Sequence, residues 1–148
     1  MRIVDRNALV PYSAAQMYAL VDDVETYPEF LPWCTKAELQ SRAETELIAS
    51  LTIGYGALNS AFTTRNRLQP PVSMTMELLD GPFRLLEGRW EFEPLDDSGC
   101  EVNLRVEFEF ASALQDMLFG GIFETICNEL IGAFIKRAHA IYGKSGSD

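Results

Sequence analysis

The sequence predicts an α+β fold of the helix-grip kind: a curved antiparallel sheet of about six or seven strands wrapped around one long C-terminal helix, with one or two short helices after the first strand. Three observations carry it. Across residues 36–110 apolar and polar side chains alternate with a period of two, broken by turn signals. Across residues 112–142 the period becomes helical. A one-faced antiparallel sheet curls because its strands twist, and only that last helix is long enough to cover the concave side.

Residues 2–9 read as the first strand, with Ile3 and Leu9 as packing positions and Pro11 ending the ladder. Ser13 with Gln16 forms a capping box, and Tyr12 with Met17 occupies the two positions of a hydrophobic staple. The helix they start runs over residues 14–21 and buries Met17, Leu20, Val21 and Val24. Residues 27–34 hold Pro28 and Pro32 among Tyr27, Phe30 and Trp33, which excludes a regular helix or a central strand. Such a segment either plugs the core at one end of the sheet or covers the mouth of a pocket.

The strands follow. Leu47, Ala49, Leu51 and Ile53 alternate with polar neighbours up to Gly54-Tyr55-Gly56. Phe62, Thr64, Asn66 and Leu68 alternate with Thr63, Arg65 and Arg67 and end at Pro70-Pro71. Met74, Met76 and Leu78 lead into the turn Asp80-Gly81-Pro82. Leu86, Gly88, Trp90 and Phe92 share one face, and Glu87, Arg89 and Glu91 the other. After the turn Asp96-Asp97-Ser98-Gly99, the residues Cys100, Val102, Leu104, Val106, Phe108 and Phe110 alternate without a miss.

In the last helix Ser112 and Gln115 read as a second capping box. Leu114, Leu118, Phe119, Ile122, Phe123, Ile126, Leu130, Phe134, Ala138 and Ile141 form the apolar stripe, and Gly143 closes it. At full length such a helix is roughly 45 Å long. Gly120-Gly121 within it predicts a bend or a short first segment, since each glycine costs about 1 kcal/mol against alanine.

The 148 residues predict one domain over 1–143 and a flexible tail over 144–148. No apolar run approaches the eighteen residues of a membrane span, and charges at Arg2, Asp5 and Arg6 stand where a signal peptide would be apolar, so a cytoplasmic protein is expected. Cys34, Cys100 and Cys127 are odd in number and far apart, which argues against disulfides and zinc and for buried small hydrophobes. A net charge of −10 disfavours non-specific binding to nucleic acid.

A curved sheet gripping one helix tends to enclose an apolar cavity. The candidate lining is Leu51, Ile53, Phe62, Met74, Met76, Leu78, Trp90 and Phe92 from the sheet; Phe119, Phe123, Ile126 and Leu130 from the helix; and Tyr27, Phe30 and Trp33 from the loop. Each also suits a plain core. Alternation turns Thr64 and Asn66 inward, where an amide must bond to backbone, water or a ligand's polar head. Gly88 either bends its strand or admits something bulky. Arg65, Arg67, Arg84, Arg89 and Arg105 are outward candidates for a local basic patch of the kind that meets nucleic acid. No catalytic residue is assigned: His139 sits in the last helical turn, no acid–base pair converges, and no metal-ligand cluster, phosphate loop or dinucleotide fingerprint is present.

The run Leu9-Val10-Pro11-Tyr12-Ser13-Ala14, then Tyr27-Pro28-Glu29-Phe30-Leu31-Pro32, Phe62-Thr63-Thr64-Arg65-Asn66, Asp80-Gly81-Pro82-Phe83 and Phe108-Glu109-Phe110 closely resemble the coenzyme Q-binding, START-like family of the polyketide cyclase/dehydrase superfamily. The likeness covers nearly the whole chain. It implies a START/Bet v 1-like helix grip and splits in function. One branch binds ubiquinone in the cavity and supports respiration without catalysis, with no covalent cofactor and with transient contact to a membrane surface. A bacterial branch is described as toxins that bind the large ribosomal subunit, block subunit joining and act beside a small antitoxin partner. Superfamily membership alone adds a third reading, a small-molecule cyclase or hydrolase. By the same resemblance Phe83 and the 27–34 loop become cavity-rim candidates.

Overall fold

A computed structural model describes residues 1–95 and 99–143. Residues 96–98 of the expected turn, and the 144–148 tail, lie outside the described residues.

Seven strands form one antiparallel sheet: β1 (Arg2–Val10), β2 (Cys34–Arg42), β3 (Glu46–Tyr55), β4 (Leu58–Gln69), β5 (Ser73–Asp80), β6 (Phe83–Pro94) and β7 (Cys100–Phe110). Their spatial order is β1-β7-β6-β5-β4-β3-β2, a meander from β2 to β7 with the first strand added beyond the last. Helix α1 (Ala14–Asp22) and a 3-10 turn (Val24–Glu29) lie between β1 and β2, and α2 (Ala113–Tyr142) follows β7. The helix-grip expectation holds, with seven strands.

Register explains which side chains meet. One inward row crosses the sheet as Leu47, Asn66, Met76, Gly88, Val106 and Val4, each opposite the next. In β7 all six residues of the alternating set are buried. In β1 the parity expected from sequence is reversed: Ile3 and Leu9 are exposed, whereas Val4 and Val10 are buried. The cause is that Arg2 and Arg6 share the face of Val4 and reach α2, where Arg2 pairs with Glu124 at 2.9 Å and Arg6 Nε donates to Asn128 Oδ1 at 2.7 Å.

The Ser13–Gln16 capping box forms with both of its bonds. At Ser112 only half of the expected box is present: its hydroxyl accepts from the Gln115 N–H at 3.1 Å, while the Gln115 side chain meets that hydroxyl instead of the Ser112 backbone. Helix α2 runs unbroken through Gly120-Gly121, so the short first segment does not occur. Gly120 has a packing reason, since a Cβ there would fall on the Arg2 guanidinium. Leu114 and Leu118 are exposed, because Asp116 and Phe119 hold this turn to the sheet, Asp116 accepting from the Phe110 N–H at 3.4 Å. Ile141 is exposed as well; Ala138 is buried in its place and the Tyr142 hydroxyl donates to the Gln16 carbonyl at 3.0 Å. By length and mean composition α2 is apolar enough to cross a membrane, although polar residues interrupt every apolar run in it, and a third of that window is buried inside the fold.

Candidate functional site

The interface between sheet and α2 is solid at one end and hollow in the middle. At the start of α2, rings fill it: Phe83 lies 4.5 Å from Phe110 and 5.0 Å from Phe123, and Phe108 lies 4.7 Å from Phe123, centroid to centroid. Toward the centre a cavity of about 80 Å³ remains.

Of the residues expected to line it, the structure brings together Leu51, Phe62, Thr64, Asn66, Met76 and Trp90 from the sheet. Phe123, Ile126 and Leu130 close it from the helix, and Tyr27 and Trp33 from the loop. Others lie elsewhere. Ile53, Met74 and Phe92 are buried core, and Leu78 is half-buried beside it. Phe83 and Phe119 belong to the ring cluster at the start of α2. Phe30 faces an outer groove. The sequence reading did not choose Val24, Ala49, Leu86, Val106, Cys127 or Phe134, which complete the wall. Their signal is weak, because aliphatic, small or aromatic residues at strand or helix spacing look like any core.

The hollow has a local cause. Ala49 faces Thr64 and Met76 faces Gly88 across the ladder, so short side chains stand where rings stand at the solid end. Gly88 admits something bulky, the second of the two uses expected for it: a Cβ there would lie 2.5 Å from Met76 Cε, so the glycine makes room for that methionine. The wall is apolar except for one pair. Thr64 Oγ1 donates to Asn66 Oδ1 at 2.7 Å, and the Asn66 amide nitrogen has the Met74 sulfur, a weak acceptor, at 3.6 Å. Among the described lining residues none is a carboxylate, histidine, lysine or arginine. Burial pushes the Cys127 thiol up to about 12, with Glu124 adding to the rise, and burial raises the Tyr27 phenol as well. Tyr27 donates its hydroxyl to the Val21 carbonyl.

The loop contributes to two spaces. Tyr27 and Trp33 plug the cavity from inside, while Phe30, Pro32 and Trp33 border a surface groove of about 450 Å³ along α2. Arg137 straps it down, pairing with Glu29 at 2.9 Å and lying 5.0 Å over the Phe30 ring.

On the outer face the arginines do not make a free basic stripe. Arg65 pairs with Glu46 and Glu77, Arg67 with Glu77, Arg84 with Glu109, Arg89 with Glu91, and Arg105 with Asp5 and Glu107, all at 2.8–3.4 Å. The strands alternate acids with arginines along this face, so each cation finds an anion two residues away or across the ladder. His139 bonds to the Tyr12 hydroxyl and does not line the cavity. Among the described residues no group of three acidic, histidine or cysteine side chains could hold a metal.

Residues 10–135 match the model of the family described as polyketide cyclase/dehydrase and lipid transport. The chain belongs to that family. A Vibrio cholerae protein named ribosome association toxin RatA is 44% identical over 144 residues, covering 97% of this chain and all of that protein. The mitochondrial coenzyme Q-binding protein COQ10 of Drosophila melanogaster is 35% identical over 88% of this chain and 56% of its own length. Among solved structures, the Zhui aromatase/cyclase from Streptomyces superposes with a TM-score of 0.82 at 17% identity, covering 96% of this chain and 97% of that one, a likeness of fold alone. Relatives by sequence thus include proteins named for a ribosome and for a quinone, and a protein named for an enzymatic reaction shares the fold.

Proposed function

We propose that this chain binds a hydrophobic ligand, an isoprenoid quinone of the ubiquinone type, in the cavity between sheet and α2, and that it does so without catalysis, in support of respiration. The observation that carries the reading is an apolar wall with a single polar pair, Thr64 and Asn66, a lining suited to a ring with carbonyl oxygens. The 35% identity to a protein named for coenzyme Q binding supports it. Among the described lining residues there is no carboxylate, histidine, lysine or arginine, and a cyclase or hydrolase would have only the Cys127 thiol and the Tyr27 phenol, which is bonded to the Val21 carbonyl, as acid or base. A cytoplasmic carrier that touches a membrane surface to exchange its ligand fits the same reading. The test is to purify the protein from a ubiquinone-producing cell without detergent, extract it with organic solvent and weigh the extract by mass spectrometry. Near-stoichiometric quinone is expected. A chain that stays empty even after incubation with quinone-loaded vesicles would sink the proposal.

The second reading, favoured by the 44% identity to a ribosome association toxin, is binding to the large ribosomal subunit so that it cannot join the small one, beside a small antitoxin partner. Its surface would be Arg65, Arg67, Arg84, Arg89 and Arg105, each of which must exchange a carboxylate for a phosphate. Reversing the charges of Arg65 and Arg67 should abolish co-sedimentation with large subunits. Unchanged co-sedimentation would remove this surface.

A further inference from the structure

Resting on the quinone reading, we propose a direction for the ligand: ring inward beneath Asn66, and isoprenoid chain outward past Trp33 into the groove along α2. Volume gives the first argument. Pockets that enclose a whole ligand are on the order of 300–1,000 Å³. The cavity, at about 80 Å³, admits a ring or a few carbons, whereas the groove offers about 450 Å³. Trp33 lines both spaces and is 7% exposed, so its indole is the partition between them.

The chemistry of the two spaces gives the second argument. Asn66 is 4% exposed and lines the cavity; its carbonyl is taken by Thr64, and its amide nitrogen has only a thioether for an acceptor among the described residues. A quinone carbonyl is a far better acceptor for that N–H, and a hydrocarbon chain is none. The groove has the opposite character. Ala133 and Ala140, seven residues apart on one flank of α2, leave a furrow that Phe30 and Tyr55 wall on the other side, with Lys136 at the rim. The reverse pose would force a long chain into the small cavity and leave the Asn66 N–H against carbon.

The experiment compares two probes on the full chain by titration of tryptophan fluorescence: the bare dimethoxy-methyl-benzoquinone ring, and the same ring with a ten-carbon tail. Wild type is expected to bind the tailed probe at least about tenfold more tightly, since each methylene removed from water adds roughly 0.8 kcal/mol. Ala133→Trp, and Ala140→Trp at an exposed position, fill the groove and should cut that ratio at least about threefold. Asn66→Leu should weaken both probes about equally and keep the ratio. Melting curves show that each variant is folded. A ratio left intact by both groove variants, or equal affinities for the two probes in wild type, overturns the tail placement alone. Wild type that binds neither probe overturns the quinone reading together with it.

Discussion

The two ends of the sheet–helix interface are built from the same elements and pack differently. Where α2 begins, Phe83, Phe108, Phe110 and Phe123 meet ring on ring. A few residues further along, Ala49, Thr64 and Gly88 occupy the corresponding inward positions, and a cavity opens over them. Curvature of the sheet therefore permits the cavity, and the size of a few inward side chains decides where it lies. The solid end carries stability, and the hollow end is free to carry a ligand.

The largest expected effect tests the solid end. Phe108 is fully buried among rings, so Phe108→Ala should cost about 3–5 kcal/mol in urea unfolding, the range for deleting a buried aromatic. A loss below about 1 kcal/mol would mean the cluster rearranges and the contrast between the ends is wrong.

The next effect asks whether the hollow end is dry. Cys127 lines the cavity, and burial holds its thiol at about 12 against an ordinary value of 9.0; Cys34 at the loop is held at about 11 by the same cause. Both values are raised in the folded state, so the unfolded chain releases these protons first and stability falls as pH rises. The contribution is complete below pH 9.0 and is lost as pH climbs through 11 to 12. At one pH unit above the unfolded value each thiol removes up to about 1.4 kcal/mol. Urea midpoints measured up to pH 10 should decline, and Cys127→Ala should flatten part of the decline. No flattening would indicate that water reaches the thiol and that the cavity is wet.

Much of this contrast could be read in the chain, and the rest could not for physical reasons. Alternation placed Thr64, Asn66, Met76 and Trp90 inward, because period two is a property of the strand itself. It placed Ile53, Met74 and Phe92 inward equally well, and whether an inward residue meets helix, cavity or neighbouring core depends on where α2 crosses, which no local pattern encodes. Gly88 drew notice as an inward glycine, but its use became legible only from register, since Met76 stands directly opposite. In β1 the pattern misled because two arginines that bond α2 share the inward row with Val4 and Val10. The arginines of the outer strands were visible as charges; their carboxylate partners on adjacent strands were not, because pairing needs the ladder.

A gentler change probes the hollow directly. Gly88→Ala puts a methyl 2.5 Å from Met76 Cε, the free end of a flexible side chain that can swing toward the cavity. Stability should change by less than about 1.5 kcal/mol, while quinone uptake falls because Met76 takes the space. If Gly88→Ala unfolds the protein as Phe108→Ala is expected to, the middle of the interface is as tightly packed as its end.

The smallest effect separates two neighbouring glycines in α2. A Cβ at Gly121 meets nothing within 4 Å, so Gly121→Ala should return the helix-propensity difference, about 0.5–1 kcal/mol of added stability. Gly120→Ala gains the same propensity but displaces the Arg2 guanidinium, which pairs with Glu124 at 2.9 Å. That pair is partly exposed and is worth up to about 1 kcal/mol, so the two terms nearly cancel. Thermal melts of both variants measure the difference. Equal stabilisation by both would show that Arg2 can leave its seat on α2 without loss, and that Arg6 on Asn128 together with the buried Val4 and Val10 suffices to hold β1.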